Sequence, residues 1–373
     1  YRTREEVDKW KRCCPIARLR TTMLEEGITE ADIDILDEEI VKIVHDAHEL
    51  AERSDWPDPA TANTHVYFSG ENTDTAPIRN VAPAKGRKIT FMQATLEALS
   101  EEMERQDNIF VMGQGIGKRG GNFATTTGLY DLYGADRLCD VPICERGFVG
   151  LACGAAITGT RPVIDFMFAD FILDAAGEVI NQISKMQYMS HGRLKMPLLM
   201  RGCIGVGHSA ATHHSGNYYA MYAQIPGLRV ALPSTPYDAK GLMKRALNCN
   251  DPVIFLEHRE LLSVKGLVPD GEYEIEFGKA AVVRKGSDLT IVGFSMMVHK
   301  ALAAADELAK DGISAEIIDP RTVSPLDTDT ILKSLTKTGR LLIVDDNENN
   351  RDLLHRRLGM EGYNTTSQEV YSM

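Results

Sequence analysis

From Lys88 onward the chain alternates short apolar runs with amphipathic ones, and this alternation constrains the fold more than any other feature. "NIFVMG", "RPVIDFMF", "MPLLMRG", "LRVALPS" and "PVIFLE" are short runs rich in Val, Ile, Leu and Phe. Uninterrupted apolar runs of this length mark strands buried on both faces. "TFMQATLEALSEEMERQ" instead spaces its apolar residues as one helical stripe. Strands separated by helices make a parallel sheet covered on both sides. A second unit of the same kind begins near Gly278, with "AAVVRKGSDLTIVGF", the helix "MVHKALAAADELAKDG", "SAEIIDP" and "RLLIVDD"; the bend "DPRTVSPLD" separates the last two strands. The expected fold is α/β, with two doubly wound parallel-sheet domains over 88–264 and 265–373. Residues 1–87 are expected to form a helical arm and linker.

In the arm, Thr29 with Asp32 forms a helix-start signal. Ile33, Leu36, Ile40, Val44 and Ala47 follow at helical spacing, so the helix needs another body to cover its stripe. From Ser54 to Gly86 the chain is rich in Pro, Asn, Thr and Asp, which reads as a linker.

A formal net charge of -12 over 373 residues argues against a nucleic-acid partner. Seven cysteines at irregular spacing do not form a disulfide framework, and several lie among apolar or Gly-rich residues as reduced core cysteines do. No apolar run approaches the ~20 residues needed to cross a bilayer. The opening "YRTREEVDKWKRCCP" has neither an initiator Met nor a signal-peptide pattern. These features predict a cytoplasmic protein, with no membrane partner and with sequence missing upstream.

Three motifs carry possible chemistry. "GQGIGKRGG" holds a G-x-G-x-x-G directly after a strand, but "NFATTTGLYDLYG" follows it with poor helix formers. A dinucleotide site needs a helix to open there, so neither this motif nor "GVGHSA" is read as one. His208, His213 and His214 cluster in a Gly-rich stretch with no cysteine pair beside them, which argues against zinc; no metal site is predicted. A loop histidine there can exchange protons near neutral pH, or can be structural. Glu145, in "ICERGFVGLACGAAITG", heads a run of small residues that allow close packing. It reads either as a carboxylate buried at that junction or as a surface pair with Arg146 at a helix start.

"DVPICERGFVGLACGAAITGTRPVIDFMFADF", "QYMSHGRLKMPLLMRG", "HHSG", "IPGLRVALPSTPYDAKGLMKRAL" and "DPVIFLEHREL" together resemble the beta subunit of the thiamine-diphosphate-dependent 2-oxoacid and acetoin dehydrogenases. The resemblance covers about residues 88 to 344. Residues 1 to about 55 resemble the tail of the partner alpha subunit.

The resemblance implies a transketolase-like pyrimidine-binding domain followed by a transketolase C-terminal-like domain. It implies thiamine diphosphate as cofactor, with Glu145 hydrogen-bonding its aminopyrimidine ring. Partial burial strengthens such a bond. Gln114, Ile143, Met167 and Phe171 fall where the family lines that ring, Gln114 standing where many relatives carry an acid. His214 matches a histidine that assists acyl transfer to a lipoyl group. The Gly-Asp-Gly motif that binds diphosphate and magnesium is not in this sequence, so an alpha-type domain or subunit is expected to hold both.

The implied assembly is a homodimer or heterotetramer that passes its acyl group to a lipoyl-bearing acyltransferase. A transketolase-like sugar enzyme and a non-catalytic fragment that keeps the fold are the rivals. After "GRLLIV" the chain instead resembles the start of a response-regulator receiver domain, with Asp345 and Asp346 as its acidic pair, and a spliced or truncated end is expected there.

Overall fold

The computed structural model describes residues 2–70, 76–81, 84–207 and 209–345, with Asp352 and Arg356 beyond them. His208, Asp346 and most of the receiver-like stretch after it lie outside the described residues. The chain divides into two compact units, Tyr1–Asn63 and Thr64–Met373.

In the first unit, α1 (Arg4–Arg12), α2 (Pro15–Glu25) and α3 (Glu30–Arg53) follow one another. The start signal at Thr29 is realised as a capping box: Thr29 accepts from the Asp32 N–H, and the Asp32 side chain accepts from Thr29. Arg20 of α2 bonds Asp34 at 2.6 Å and Glu30 at 2.7 Å, which ties α2 to the first turns of α3. Ile33 is buried, whereas Leu36, Ile40 and Val44 of the same stripe are exposed.

The second unit runs β1 (Arg87–Thr90), α4 (Phe91–Arg105), β2 (Ile109–Gly113), α5 (Leu129–Arg137), β3 (Leu138–Asp140), α6 (Glu145–Ile157) and β4 (Arg161–Phe168). A 3-10 helix, Ala169–Ala175, and a π-helical segment, Glu178–Ile183, come next, then α7 (Met186–Met189), β5 (Leu199–Ile204), α8 (Tyr219–Ala223), β6 (Arg229–Ala231), α9 (Pro236–Asn248), β7 (Val253–His258) and β8 (Lys265–Val268). It ends with β9 (Ala281–Arg284), β10 (Leu289–Gly293), α10 (Met296–Lys310), β11 (Ala315–Asp319), β12 (Thr322–Ser324), α11 (Thr328–Thr338) and β13 (Leu341–Val344).

The larger sheet has strand order β3-β2-β4-β5-β7-β6-β12, parallel except for β12. The smaller has order β13-β10-β11-β9, parallel except for β9. These are the two mainly parallel sheets expected, each with one antiparallel edge strand added, and β1 and β8 pair antiparallel as a separate ribbon. Every residue of β5 and β7 is buried, as strands covered on both faces require. One face of the larger sheet packs on α4 and α9 through Ala94, Ala98, Leu99, Leu242, Met243 and Ala246. The other packs on α6 and the segment after β4, and its core continues into the smaller sheet through Val292, Ile318 and Ile343.

Two features depart from the reading of the sequence. The bend "DPRTVSPLD" contains β12, which crosses from the smaller sheet to pair with β6 of the larger one. Arg321 just before it, at φ +63°, donates to Asp238 at 2.7 Å and to the Asn80 carbonyl at 3.0 Å. Second, part of the expected linker lies on the body of this unit. Phe68 N–H donates to Asp251 at 2.7 Å, and Arg79 N–H to the Glu274 carbonyl at 2.8 Å. Backbone groups laid on a protein surface need such partners, and the polar composition that suggests a linker says nothing about where they are found.

Candidate active site

The chain leaves β2 for β3 on one side and returns to place β4 on the other. In open α/β sheets the crevice beyond such a reversal, at the carboxyl ends of the strands, is where ligands bind. Gln114 follows β2, and Met167, Phe168 and Phe171 fall at or just after the end of β4.

The first wall is held by backbone contacts on either side of Gln114. Val141 N–H donates to the Gly113 carbonyl at 3.0 Å, and Gly115 N–H to Asp140 at 2.6 Å. A Cβ on Gly113 would lie 2.4 Å from the Asp165 carbonyl oxygen of β4, so only glycine fits there. With the loop pinned, the Gln114 amide donates to Glu145 Oε1 at 3.0 Å. Glu145 opens α6 and is 9% exposed, so the buried-junction reading of this residue is the one realised. Arg146 pairs elsewhere, with Glu178 at 3.0 Å.

The second wall is shaped by an irregularity. Pairing of β4 with β5 shifts register between Asp165 and Phe168, and Met167 takes φ +67°. Bulges of this kind re-aim side chains beside active sites. Asp165 holds the distortion by accepting from Met167 N–H at 2.9 Å and from the Thr125 hydroxyl at 2.6 Å. The Asn122 amide meets the Met167 sulfur, so the Gly-rich loop set aside as a dinucleotide motif is used to pack this wall. Phe123 from the same loop stands edge-on to Phe168, with ring centres 5.3 Å apart.

His214 completes the aromatic cluster. Its ring centre lies 4.5 Å from Phe168 and 5.6 Å from Phe171. His214 Nδ1 is 3.2 Å from the Ala210 carbonyl, which can only accept. Nδ1 is therefore the donor in this contact, which leaves Nε2 without a hydrogen-bond partner among the described residues.

The histidine loop is fastened at its base. Gly205 N–H donates to the Gly216 carbonyl, and Gly216 N–H donates to Asp170 at 3.0 Å. A Cβ on Gly216 would lie 2.5 Å from that carboxylate oxygen. Burial pushes the Asp170 carboxyl up, while the Gly216 N–H and the nearby His214 and His213 pull it down.

The structure thus joins Gln114 to Glu145, and Phe171 to His214, with Met167 on the same strand end as Phe168. Ile143 stays apart: it is 82% exposed, two residues before Glu145. Phe168, Phe123 and Asp170 were missed in the sequence. The aromatic pattern of "FMFADF" around a single acid was the available signal.

The site thus offers a buried carboxylate steered by an amide beyond the end of β2, and a thioether-and-aromatic group at the end of the neighbouring β4. Residues 87–265 match the family described as transketolase, pyrimidine binding domain, and residues 278–350 match transketolase, C-terminal domain. The chain is 45% identical over 270 residues to the acetoin:2,6-dichlorophenolindophenol oxidoreductase subunit beta of Cupriavidus necator, covering 70% of this chain and 80% of that one. It is 46% identical over 260 residues to the pyruvate dehydrogenase E1 component subunit beta of Bacillus subtilis, covering 69% and 80%. A solved split-gene transketolase, an inactive beta4 tetramer, superposes with a TM-score of 0.59 at 23% identity, covering 72% of this chain and 86% of that one; this likeness concerns the fold. The chain belongs to the family of beta subunits of the 2-oxoacid and acetoin dehydrogenases. Among the described residues, no helix is long and apolar enough to cross a membrane.

Proposed function

We propose that this chain is the pyrimidine-binding beta component of a thiamine-diphosphate-dependent dehydrogenase that cleaves a small carbonyl substrate and passes the acyl group to a lipoyl-bearing partner. The bond from Gln114 to a buried Glu145 at the reversal of the larger sheet carries the reading. When bound, thiamine diphosphate supplies the electron sink for cleavage next to the substrate carbonyl. Glu145 would hydrogen-bond the edge of the aminopyrimidine, and the Gln114 amide fixes the carboxylate's direction. Met167, Phe168 and Phe171 exclude water, which strengthens that hydrogen bond. The free Nε2 of His214 is available to take or give a proton during acyl transfer.

Holding the diphosphate and its magnesium is assigned to an alpha-type domain or subunit, in a heterotetramer or a homodimer of fused chains. Asp140 and Asp165 near the site are already engaged by N–H and O–H donors from this chain, which supports that assignment. Seven unpaired cysteines support a cytoplasmic location. A calorimetric titration with thiamine diphosphate and magnesium tests the reading. The chain alone should bind weakly and a chain joined to an alpha partner tightly; a joined pair that binds nothing would refute it.

A further inference from the structure

We infer that Arg259 is the residue that recognises a substrate carboxylate, so that the substrate is a 2-oxoacid rather than the neutral hydroxyketone acetoin. This inference rests on the proposed function and narrows its substrate class.

Arg259 is the first residue past β7, at the carboxyl edge of the larger sheet. β7 lies beside β5, from whose end the histidine loop departs. Its guanidinium stands 5.3 Å from the Phe168 ring centre and 5.8 Å from that of Phe123. The same Phe168 ring lies 4.5 Å from His214. Arg259 and the proposed proton-transfer histidine therefore share one aromatic neighbour.

The polar partners of this cation are incomplete. Its Nε and Nη1 are buried and make no hydrogen bond. No carboxylate among the described residues comes within ion-pair distance of it. Buried Arg201 and Arg321 differ, because each is paired with a carboxylate, Glu257 at 2.7 Å and Asp238 at 2.7 Å. A guanidinium stays charged at every working pH, and buried donors without acceptors are costly to keep. Aromatic faces hold the cation in place but accept none of its in-plane N–H groups. What the site lacks is an anion with planar oxygens, and a carboxylate matches that fork. Acetoin brings no charge. A sugar phosphate would bring one, so it belongs in the test.

The experiment uses the chain joined to its alpha partner with thiamine diphosphate and magnesium bound. Pyruvate, acetoin and fructose 6-phosphate are compared as substrates for wild type, Arg259→Met and Arg259→Lys. Binding of oxamate, an unreactive carboxylate analogue, is measured by calorimetry. Arg259→Met should raise KM for pyruvate and Kd for oxamate about 10- to 100-fold, the range of a lost charged hydrogen bond. It should change kcat little, and Arg259→Lys should recover part of the loss. Equal changes for pyruvate and acetoin, or unchanged oxamate binding, would overturn the inference while leaving the proposed function intact. A loss confined to fructose 6-phosphate would overturn it by reassigning the anion to phosphate. A wild-type pair that binds no cofactor would remove the proposed function and this inference together.

Discussion

Asp319 ends β11 at the crossing to β12 and is wholly buried. It accepts from the Ser234 hydroxyl and, at 2.8 Å, from the Arg321 N–H. The Arg321 guanidinium bonds Asp238 instead, at 2.7 Å, so two carboxylates face a single cation. Burial first, then Asp238, pushes the Asp319 carboxyl up to about 7, against the pull of Arg321. A group raised in this way stabilises the fold while protonated. Its contribution is complete below the ordinary value of 3.8, is lost as pH rises through about 7, and is constant above that. The gap between those values, at about 1.4 kcal/mol per pH unit, sets a ceiling of about 4 kcal/mol.

Asp319→Asn keeps an acceptor for the Arg321 N–H and cannot ionise. Urea unfolding of both proteins between pH 4.5 and 8 should show wild type losing about 2–4 kcal/mol relative to the variant by pH 7.5, then no further change. Parallel curves would refute the reasoning. So would a wild type that gains on the variant as pH rises, because that is the signature of a charged, well-paired carboxylate.

Asp170→Ala should free the base of the histidine loop and speed exchange of the Gly216 amide at least about tenfold, whereas Asp170→Asn should not; equal exchange in both would remove Asp170 from that role. Phe171→Ala should weaken thiamine diphosphate binding by the joined pair by up to about 3–5 kcal/mol, read by calorimetry, and an unchanged affinity would take the ring off the ligand wall. Glu257→Gln should leave Arg201 buried without its counter-charge and destabilise the chain by about 3–5 kcal/mol in urea; a loss below about 1 kcal/mol would contradict a fully buried pair.

The parts of this molecule governed by local rules were legible in the sequence. Strands β2, β4, β5 and β7 are short apolar runs, and the Thr29 start is a capping box with Asp32. Glu145 stood out because a carboxylate heading a run of small residues is unusual. What composition could not reveal was long-range. The pairing of β12 with β6 depends on an arginine reaching Asp238, 83 positions away. The fastening of Phe68 to Asp251 spans 183 positions. Phe123 and Asn122 looked like filler in a Gly-rich loop, and their use becomes visible only when the loop folds back on the end of β4. Arg259 sat in a quoted motif without a role, because an unmet donor is a property of its surroundings and not of its spacing.

The most direct test of the account is exchange of the thiazolium C2 proton of thiamine diphosphate in the joined pair, comparing wild type with Glu145→Gln. The account predicts exchange slower by at least about 10²-fold, the usual worth of a positioned proton-transfer group, with cofactor affinity and unfolding midpoint little changed. Exchange as fast as in wild type would show that this carboxylate takes no part in the chemistry.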